Sequence, residues 1–489
     1  MREVITLQFG HSANFIGTHF WNTQDAYFTY DPAAPPPELM HDVLYRTGMS
    51  QQGIETYTPR ALIYDLKGGF GSLSKYNRLY EDKTTESNLE GNVVKYEQER
   101  HPKNSFLQTL EEEEETGITN EAKNFNLDKE VKVWSDFNRT TFHPRSLHQL
   151  LSHSLDSSIL PFSAFPVGLD AFQEYERDHA SYDDSLRHFA EECDQLQGFH
   201  VMVSTYDAWG GFATGILESV RDEFSKAGIW VYGLGNLSPE PYENLRKSQM
   251  EPINEALSMV RLGELASVYV PLRRECLDVP WPKLSFNPKL LYHTTAVLSA
   301  AIETASLPFR TRQDPTSMGQ LAGLYNWRSS IPLASLSVAM PLGDAEHFHK
   351  SDIRSLTTTK KEDPYSQSLV IRGLEKSDAK KRLEELQDQN EAISAGQLVH
   401  TAFPTASPYP KIFEQDTSPL PQTSVAMLTR LAASNTLAHN TASLLRAINE
   451  VNFSAHVEYR TDLENSIGED EWREVKSTLA DLLDAYRGD

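Results

Sequence analysis

The stretch that most restricts the fold is residues 198 to 234, GFHVMVSTYDAWGGFATGILESVRDEFSKAGIWVYGL. GFHVMVSTYDAWGG reads as a strand and loop, FATGILESVRDEFSKAG as an amphipathic helix, and IWVYGL as another strand. A strand, a crossover helix and a strand in succession argue for a parallel pair. The N-terminus has the same order. VITLQF at 4 to 9 is a buried strand, GHSAN a loop, and 14 to 24 a helix. PRALIYDL at 59 to 66 is a second apolar strand, followed by the loop KGGFGS. The expected fold is α/β, built on a doubly wound parallel sheet. The loop between such a strand and its helix is where many α/β proteins hold a phosphate.

Between and beyond these elements the pattern loosens. DPAAPPPEL at 31 to 39 reads as a surface loop. Residues 75 to 130 are polar and include the acidic run Glu111 to Glu115, so they are expected to be an inserted, solvated loop with the capacity to dock a basic partner. Structure resumes at KVWSDF (132 to 137), and 183 to 196 have helical spacing. LLYHTTAVLSAAIETASL, 290 to 307, is apolar on most sides and reads as a buried central helix. A second polar insertion is expected over 350 to 420, with one charged helix at 375 to 392, and residues 424 to 450 and 468 to 486 read as C-terminal helices. The expected organisation is a first domain over 1–288, a central helix with an intermediate α/β domain over 289–423, and a helical segment over 424–489.

A chain of 489 residues exceeds one ordinary core, which fits this division. Its 45 basic and 69 acidic residues give a net charge of −24, which argues against nucleic acid as a direct partner and against broad adsorption to anionic lipid. The two cysteines, Cys193 and Cys276, fit a reducing compartment. No apolar run reaches the roughly 18 residues of a membrane helix, and the N-terminus does not read as a presequence. His347 and His349 lack companions at ligand spacing, and His143, His148 and His153 recur at an interval that is not one helix face, so no metal site is expected. There is no GxSxG elbow and no Walker loop.

The ordered pieces have a family likeness. MREVITLQFGHSANFIGTHFW resembles the opening of tubulins, and PRALIYDL the stretch before their second loop. CDQLQGF (193 to 199) is very close to the segment leading into the tubulin phosphate loop, and EPINEALS (251 to 258) to the loop near the ribose. TASLPFR (304 to 310) is similar to the end of the tubulin central helix, and TSVAMLTRLAASNTLA (423 to 438) and the last helix to its C-terminal helices. Nearly the whole chain is covered. Long insertions and eroded loops separate it from true tubulins, a combination that resembles the misato family. The resemblance implies a tubulin-like fold and a role in mitochondrial distribution and mitochondrial DNA inheritance; the absence of a presequence favours the cytosolic face of the outer membrane, and the cytoplasm, as the place of action. The resemblance also implies protein partners, among them tubulin, cytoskeletal or chaperone components.

The same resemblance marks a nucleotide pocket at Gly10, His11, Asn14, Lys67, Gly210, Gly211 and Glu251, with GTP or GDP as the implied ligand. Physical chemistry argues that this pocket is vestigial. Close approach of backbone N–H groups to phosphate favours glycine. TYDAWGG at 205 to 211 has glycine only at its end; Tyr206 and Trp209 add bulk, and Asp207 is expected to add a repelling charge. Trp209 is expected to fill the emptied space. Lys67 stands where tubulins usually have a glutamate near magnesium, and it could instead neutralise phosphate directly. ASVYVPLRREC offers no asparagine for guanine. In FRTRQDPTSMGQL only Asp314 is acidic, which removes the paired carboxylates tubulins use between subunits for hydrolysis. The expectation is a protein without GTPase activity that acts as a scaffold in mitochondrial partitioning; a GTP-binding relative that assembles or switches, and a partner of tubulin or its folding machinery, are the alternatives.

Overall fold

The computed structural model describes residues 2–28, 36–49, 55–74, 102–116, 125–155, 157, 160–179, 181–238, 245–281, 283–342, 352–388, 392–413, 424–460 and 465–487. The first half runs β1 (Glu3–Phe9), α1 (His11–Asp25), β2 (Tyr45–Met49), β3 (Glu55–Pro59), β4 (Ala61–Lys67), α2 (Ser105–Thr116), β5 (Leu147–Ser154), α3 (Phe165–His179), α4 (Ser181–Glu191), β6 (Leu196–Ser204), α5 (Trp209–Glu223), β7 (Gly228–Leu234), α6 (Leu245–Leu265) and β8 (Val268–Leu272). Six of these strands form one sheet in the order β5-β4-β1-β6-β7-β8, every pair parallel. β1 is buried along its whole length, as a strand covered on both faces must be. From β1 the chain crosses to β4 on one side, and from β6 to β7 on the other. The sheet therefore has its switch point between β1 and β6, where the loops ahead of α1 and α5 diverge and leave a crevice.

The second half runs α7 (Leu291–Ala305), α8 (Met318–Tyr325), β9 (Ser335–Ala339), β10 (Arg354–Ser355), β11 (Pro364–Arg372), α9 (Lys376–Asp388), β12 (Ile393–Val399), β13 (Phe403–Pro404), β14 (Ser424–Val425), β15 (Met427–Ser434), α10 (Thr436–Glu450) and α11 (Glu469–Arg487). A mixed sheet of order β10-β9-β15-β11-β12 carries it. One apolar cluster joins Ile16 and Phe20 of α1, Val297 and Ala301 of α7, and Leu336, Val338 and Leu431 of the mixed sheet. The central helix is thus sandwiched between the two halves, and Tyr292 to Ala305 are all buried. The other face of the parallel sheet packs on α3, α5 and α6, and through them on α10 and α11.

A buried ion network ties the halves together. Glu303 of α7 receives Arg372 Nη1 at 2.7 Å, Arg310 Nη1 at 3.2 Å and the Tyr27 hydroxyl at 3.0 Å. The side chains of Glu303 and Arg372 are fully buried. Arg372 also donates to the carbonyls of Thr401 and Ala402.

Three expectations need correction. The acidic run does not lie in a loop: Glu111 to Glu115 belong to α2, whose Phe106 is buried in the core with Leu107 and Leu110 packed against it. Glutamate is a good helix former, and an apolar face at helical spacing outweighs the charge of the other face. The stretch 350–420 is not simply an insertion, because β11, α9 and β12 are a parallel strand–helix–strand unit of the mixed sheet. Residues 424 to 450 are not one helix. β15 takes Met427–Ser434 before α10 begins, because pairing with both β9 and β11 overrides the helical preference of its leucines and alanines. His347, His349 and all of 75–101 and 117–124 lie outside the described residues.

Candidate functional site

The crevice at the switch point is bounded by the turn from β1 into α1, the end of β4, the loop from β6 into α5, and α6. Gly10 makes the first turn with φ +94°, a conformation that favours glycine. A Cβ there would lie 2.5 Å from Trp209 Cδ1 and 2.9 Å from Ser204 Oγ. The Trp209 indole therefore rests on the glycine, buried among Phe162 and Phe212 at ring separations of 5.0 and 5.5 Å. Where tubulin-like chemistry would bring phosphate against the backbone, this chain brings a tryptophan. The Tyr206 hydroxyl reaches across to Ser12 Oγ at 3.4 Å and joins the two loops.

Asp65 occupies the next position. It lies near the C-terminal end of β4, fully buried, close to the start of α1, a helix whose N-cap makes no side-chain hydrogen bond. Its Oδ2 accepts from Asn14 Nδ2 at 3.1 Å and Trp134 Nε1 at 2.8 Å, and its Oδ1 from the Leu66 N–H at 2.8 Å. An internal carboxylate thus sits near the positive end of α1, a place that also suits a ligand anion. His11 Nδ1 is 3.6 Å from the same oxygen, beyond hydrogen-bond length, and is buried without a partner. Asp65 was not singled out in the sequence; its only signal is a lone acid near the end of an otherwise apolar strand.

The remaining pocket residues divide. Asn14 is buried and committed to Asp65 and to the Tyr64 carbonyl at 3.0 Å. Lys67 is exposed at the end of β4, beside Gly68 with φ +97°. Gly210 and Gly211 are in α5 and do not line the crevice as a phosphate loop would. A Cβ at Gly210 would meet Ser258 Oγ at 1.9 Å, and one at Gly211 the Phe165 carbonyl at 2.0 Å, so both permit close helix packing. The physical reason is that α5 starts at Trp209 and absorbs them. Glu251, on α6, is close enough to Asp207 to raise its pKa.

Asp207 also differs from expectation. Its Oδ1 accepts the Trp209 N–H at 3.0 Å. Burial, helped by the nearby Asp65 and Glu251 carboxylates, pushes its pKa up to about 8. At neutral pH it is mostly protonated, so it obstructs by occupying the loop rather than by fixed charge. Asn254, within the EPINEALS segment, braces this loop. It donates to the Tyr206 and Ser163 carbonyls at 2.9 and 2.7 Å and accepts from Phe165 N–H and the Tyr459 hydroxyl at 2.9 and 2.6 Å.

Deeper between β7, β8 and α6 the space falls to a cavity of about 20 Å³ beside Thr205, Tyr269 and Arg273, room for about one water. Arg273 follows β8 and pairs with Glu255 at 3.5 Å. Asp314 adopts φ +48° in a turn, and Ser317 caps α8 by accepting from the Gln320 N–H. His143, His148 and His153 do not converge: His143 stacks on His188, His148 Nε2 donates to the Arg145 carbonyl while its Nδ1 accepts from the Tyr175 hydroxyl, and His153 packs on Phe162. Among the described residues no group of three or more His, Cys, Asp or Glu is placed to hold a metal, and no helix is long and apolar enough to cross a membrane.

Comparison with known proteins places this geometry in context. A tubulin domain model matches residues 125–311, and a misato segment II tubulin-like domain model matches residues 2–112. Protein DML1 of Phaeosphaeria nodorum is 36% identical over 363 residues, covering 72% of this chain and 68% of that protein. Protein DML1 of Gibberella zeae is 39% identical over 347 residues, 70% and 68% of the two chains. Protein misato homolog 1 of Bos taurus is 28% identical over 571 positions, spanning 100% of this chain and 98% of that one.

Proposed function

This chain belongs to the misato family of tubulin-like proteins, and from that premise we propose that it is a non-catalytic scaffold for partitioning mitochondria and inheriting their DNA. It would work from the cytosolic face of the mitochondrion through protein partners. The observation that carries the non-catalytic part is the seat of Trp209 on Gly10, with the Tyr206–Ser12 bridge beside it. A polyphosphate would have to displace a buried indole, whose removal from a core costs about 3 to 5 kcal/mol. The mitochondrial part rests on the family resemblance. Its test is depletion followed by complementation. Loss of the chain should disturb mitochondrial distribution, and a Lys67→Glu copy should restore it fully. Normal distribution after depletion, or failure of a folded Lys67→Glu copy, would overturn the reading.

A second reading keeps nucleotide as a ligand. It is favoured by the α1 N-terminus, which has no side-chain cap, and by exposed Lys67 near the crevice mouth. It requires Trp209 to swing out, so it predicts that GTP with magnesium changes the Trp209 fluorescence. An unchanged spectrum at millimolar GTP removes it. A third reading, a partnership with tubulin or its folding machinery, would draw on the tubulin-like surface or the acidic face of α2.

A further inference from the structure

One face of the mixed sheet is covered by apolar groups at one end and by polar groups at the other. Residues opposite each other on its antiparallel strands share a face: Ala339, Leu428 and Ile371 in one row, Ser337, Arg430 and Leu369 in the next. At the Ala339 row the face is apolar, and α9 covers it with Ala379 and Leu386. Beyond Ser337 the face turns polar: β10 pairs as the edge strand beside β9, and Glu362, from the segment that follows it, reaches Ser337 and Ser434. A cavity of about 630 Å³ lies around this edge strand, within the usual range of small-molecule sites.

The charge in this cavity runs against the composition of the chain. Arg354, Lys360, Lys361 and Arg430 line it, opposed by Glu362 and Asp363. Glu362 is already engaged: it accepts from Ser337 Oγ at 2.9 Å, Ser434 Oγ at 3.2 Å, Ser335 Oγ and Arg430. Asp363 is the other carboxylate in the lining. The Nε donors of Arg354 and Arg430 are buried without a hydrogen-bond partner, a state that is costly unless a ligand or water accepts from them. Val279, Ile353 and Leu386 supply an apolar wall. The Cys276 thiol, pushed up to about 12 chiefly by burial, adds a neutral one.

We propose that this cavity binds an organic phosphate, its phosphate group held by Arg354, Lys360 and Lys361 and its carbon body laid against Val279, Ile353 and Leu386. Guanidinium N–H groups and lysine point charges together match a phosphate dianion. The apolar wall favours an esterified phosphate over the inorganic ion. The site is on the mixed sheet, apart from the crevice at the switch point, and does not depend on how that crevice is read.

The test uses the full chain and three probes: inorganic phosphate, phenyl phosphate, and vesicles containing phosphatidylinositol 4-phosphate. Calorimetry at low salt should show phenyl phosphate binding one to one, at least tenfold tighter than inorganic phosphate. Lys360→Gln and Arg354→Gln should each weaken it at least tenfold, whereas Lys67→Glu should leave it unchanged. Lys360 is exposed, so its variant keeps the fold. Vesicle binding that Lys360→Gln abolishes would identify a lipid headgroup as the source; phenyl phosphate binding without vesicle binding would identify a free metabolite. No binding of either organic phosphate, equal binding by the Lys360→Gln variant, or loss only in Lys67→Glu overturns the proposal.

Discussion

Asp207→Asn should stabilise this protein, and by an amount that depends on pH. The folded carboxyl has its pKa raised to about 8, first by burial and then by Asp65 and Glu251. In the unfolded chain it titrates near 3.9. Between about pH 4 and 8 the folded state holds a proton that the unfolded state has released. Stability attributable to this group therefore falls as pH rises through that window and is level above it. A shift of about four units corresponds to about 5 kcal/mol at 1.36 kcal/mol per unit. Asparagine keeps an acceptor for the Trp209 N–H and carries no charge. Urea denaturation of both proteins at pH 5, 7 and 9 measures the difference directly, and groups that titrate equally in both cancel. The variant should be about 1 to 2 kcal/mol more stable at pH 5 and up to about 5 kcal/mol more stable at pH 9. A difference that is constant with pH, or a variant less stable at pH 9, would refute the reasoning.

Other perturbations probe the same architecture. Gly10→Ala combines a positive φ with a Cβ 2.5 Å from the Trp209 ring, and should lose about 2 to 4 kcal/mol in denaturant melts; a loss under 1 kcal/mol would mean that the indole yields easily. Trp209→Ala should cost about 3 to 5 kcal/mol, and because it vacates the seat on Gly10, it is the variant in which any latent nucleotide affinity should rise. Glu303→Gln leaves Arg372 and Arg310 buried beside a neutral partner and should cost about 3 to 5 kcal/mol; pairing it with Arg372→Met should recover part of that loss, and strict additivity would argue against a shared network.

The parallel sheet was legible because its information is local. VITLQF, PRALIYDL and the strand–helix–strand over 198 to 234 each carry their own periodicity, and the tubulin likeness supplied their order. β15 was not legible, since MLTRLAAS owes its strand state to β9 and β11, which are distant in sequence. α2 was obscured because charge density is conspicuous and three apolar side chains are not. In the crevice, the bulk of Trp209 could be read from one letter. Its seat on Gly10, the commitment of Asn14 to Asp65, and the protonated state of Asp207 could not, because each depends on burial created by segments far apart in the chain. Gly210 and Gly211 show the same limit: glycine lets a backbone approach a phosphate and lets two helices pack closely, and sequence does not separate the two uses.

The central claim is that the crevice at the switch point is filled by the chain itself. Its most direct measurement is the nucleotide content of freshly purified full-length protein, denatured and resolved by anion exchange, followed by a thermal melt with GTP and magnesium. The account predicts far less than one nucleotide per chain and no shift of the melt. Near-stoichiometric GDP or GTP, or the stabilisation of about 2.7 kcal/mol that a ligand gives at a hundred times its dissociation constant, would contradict it.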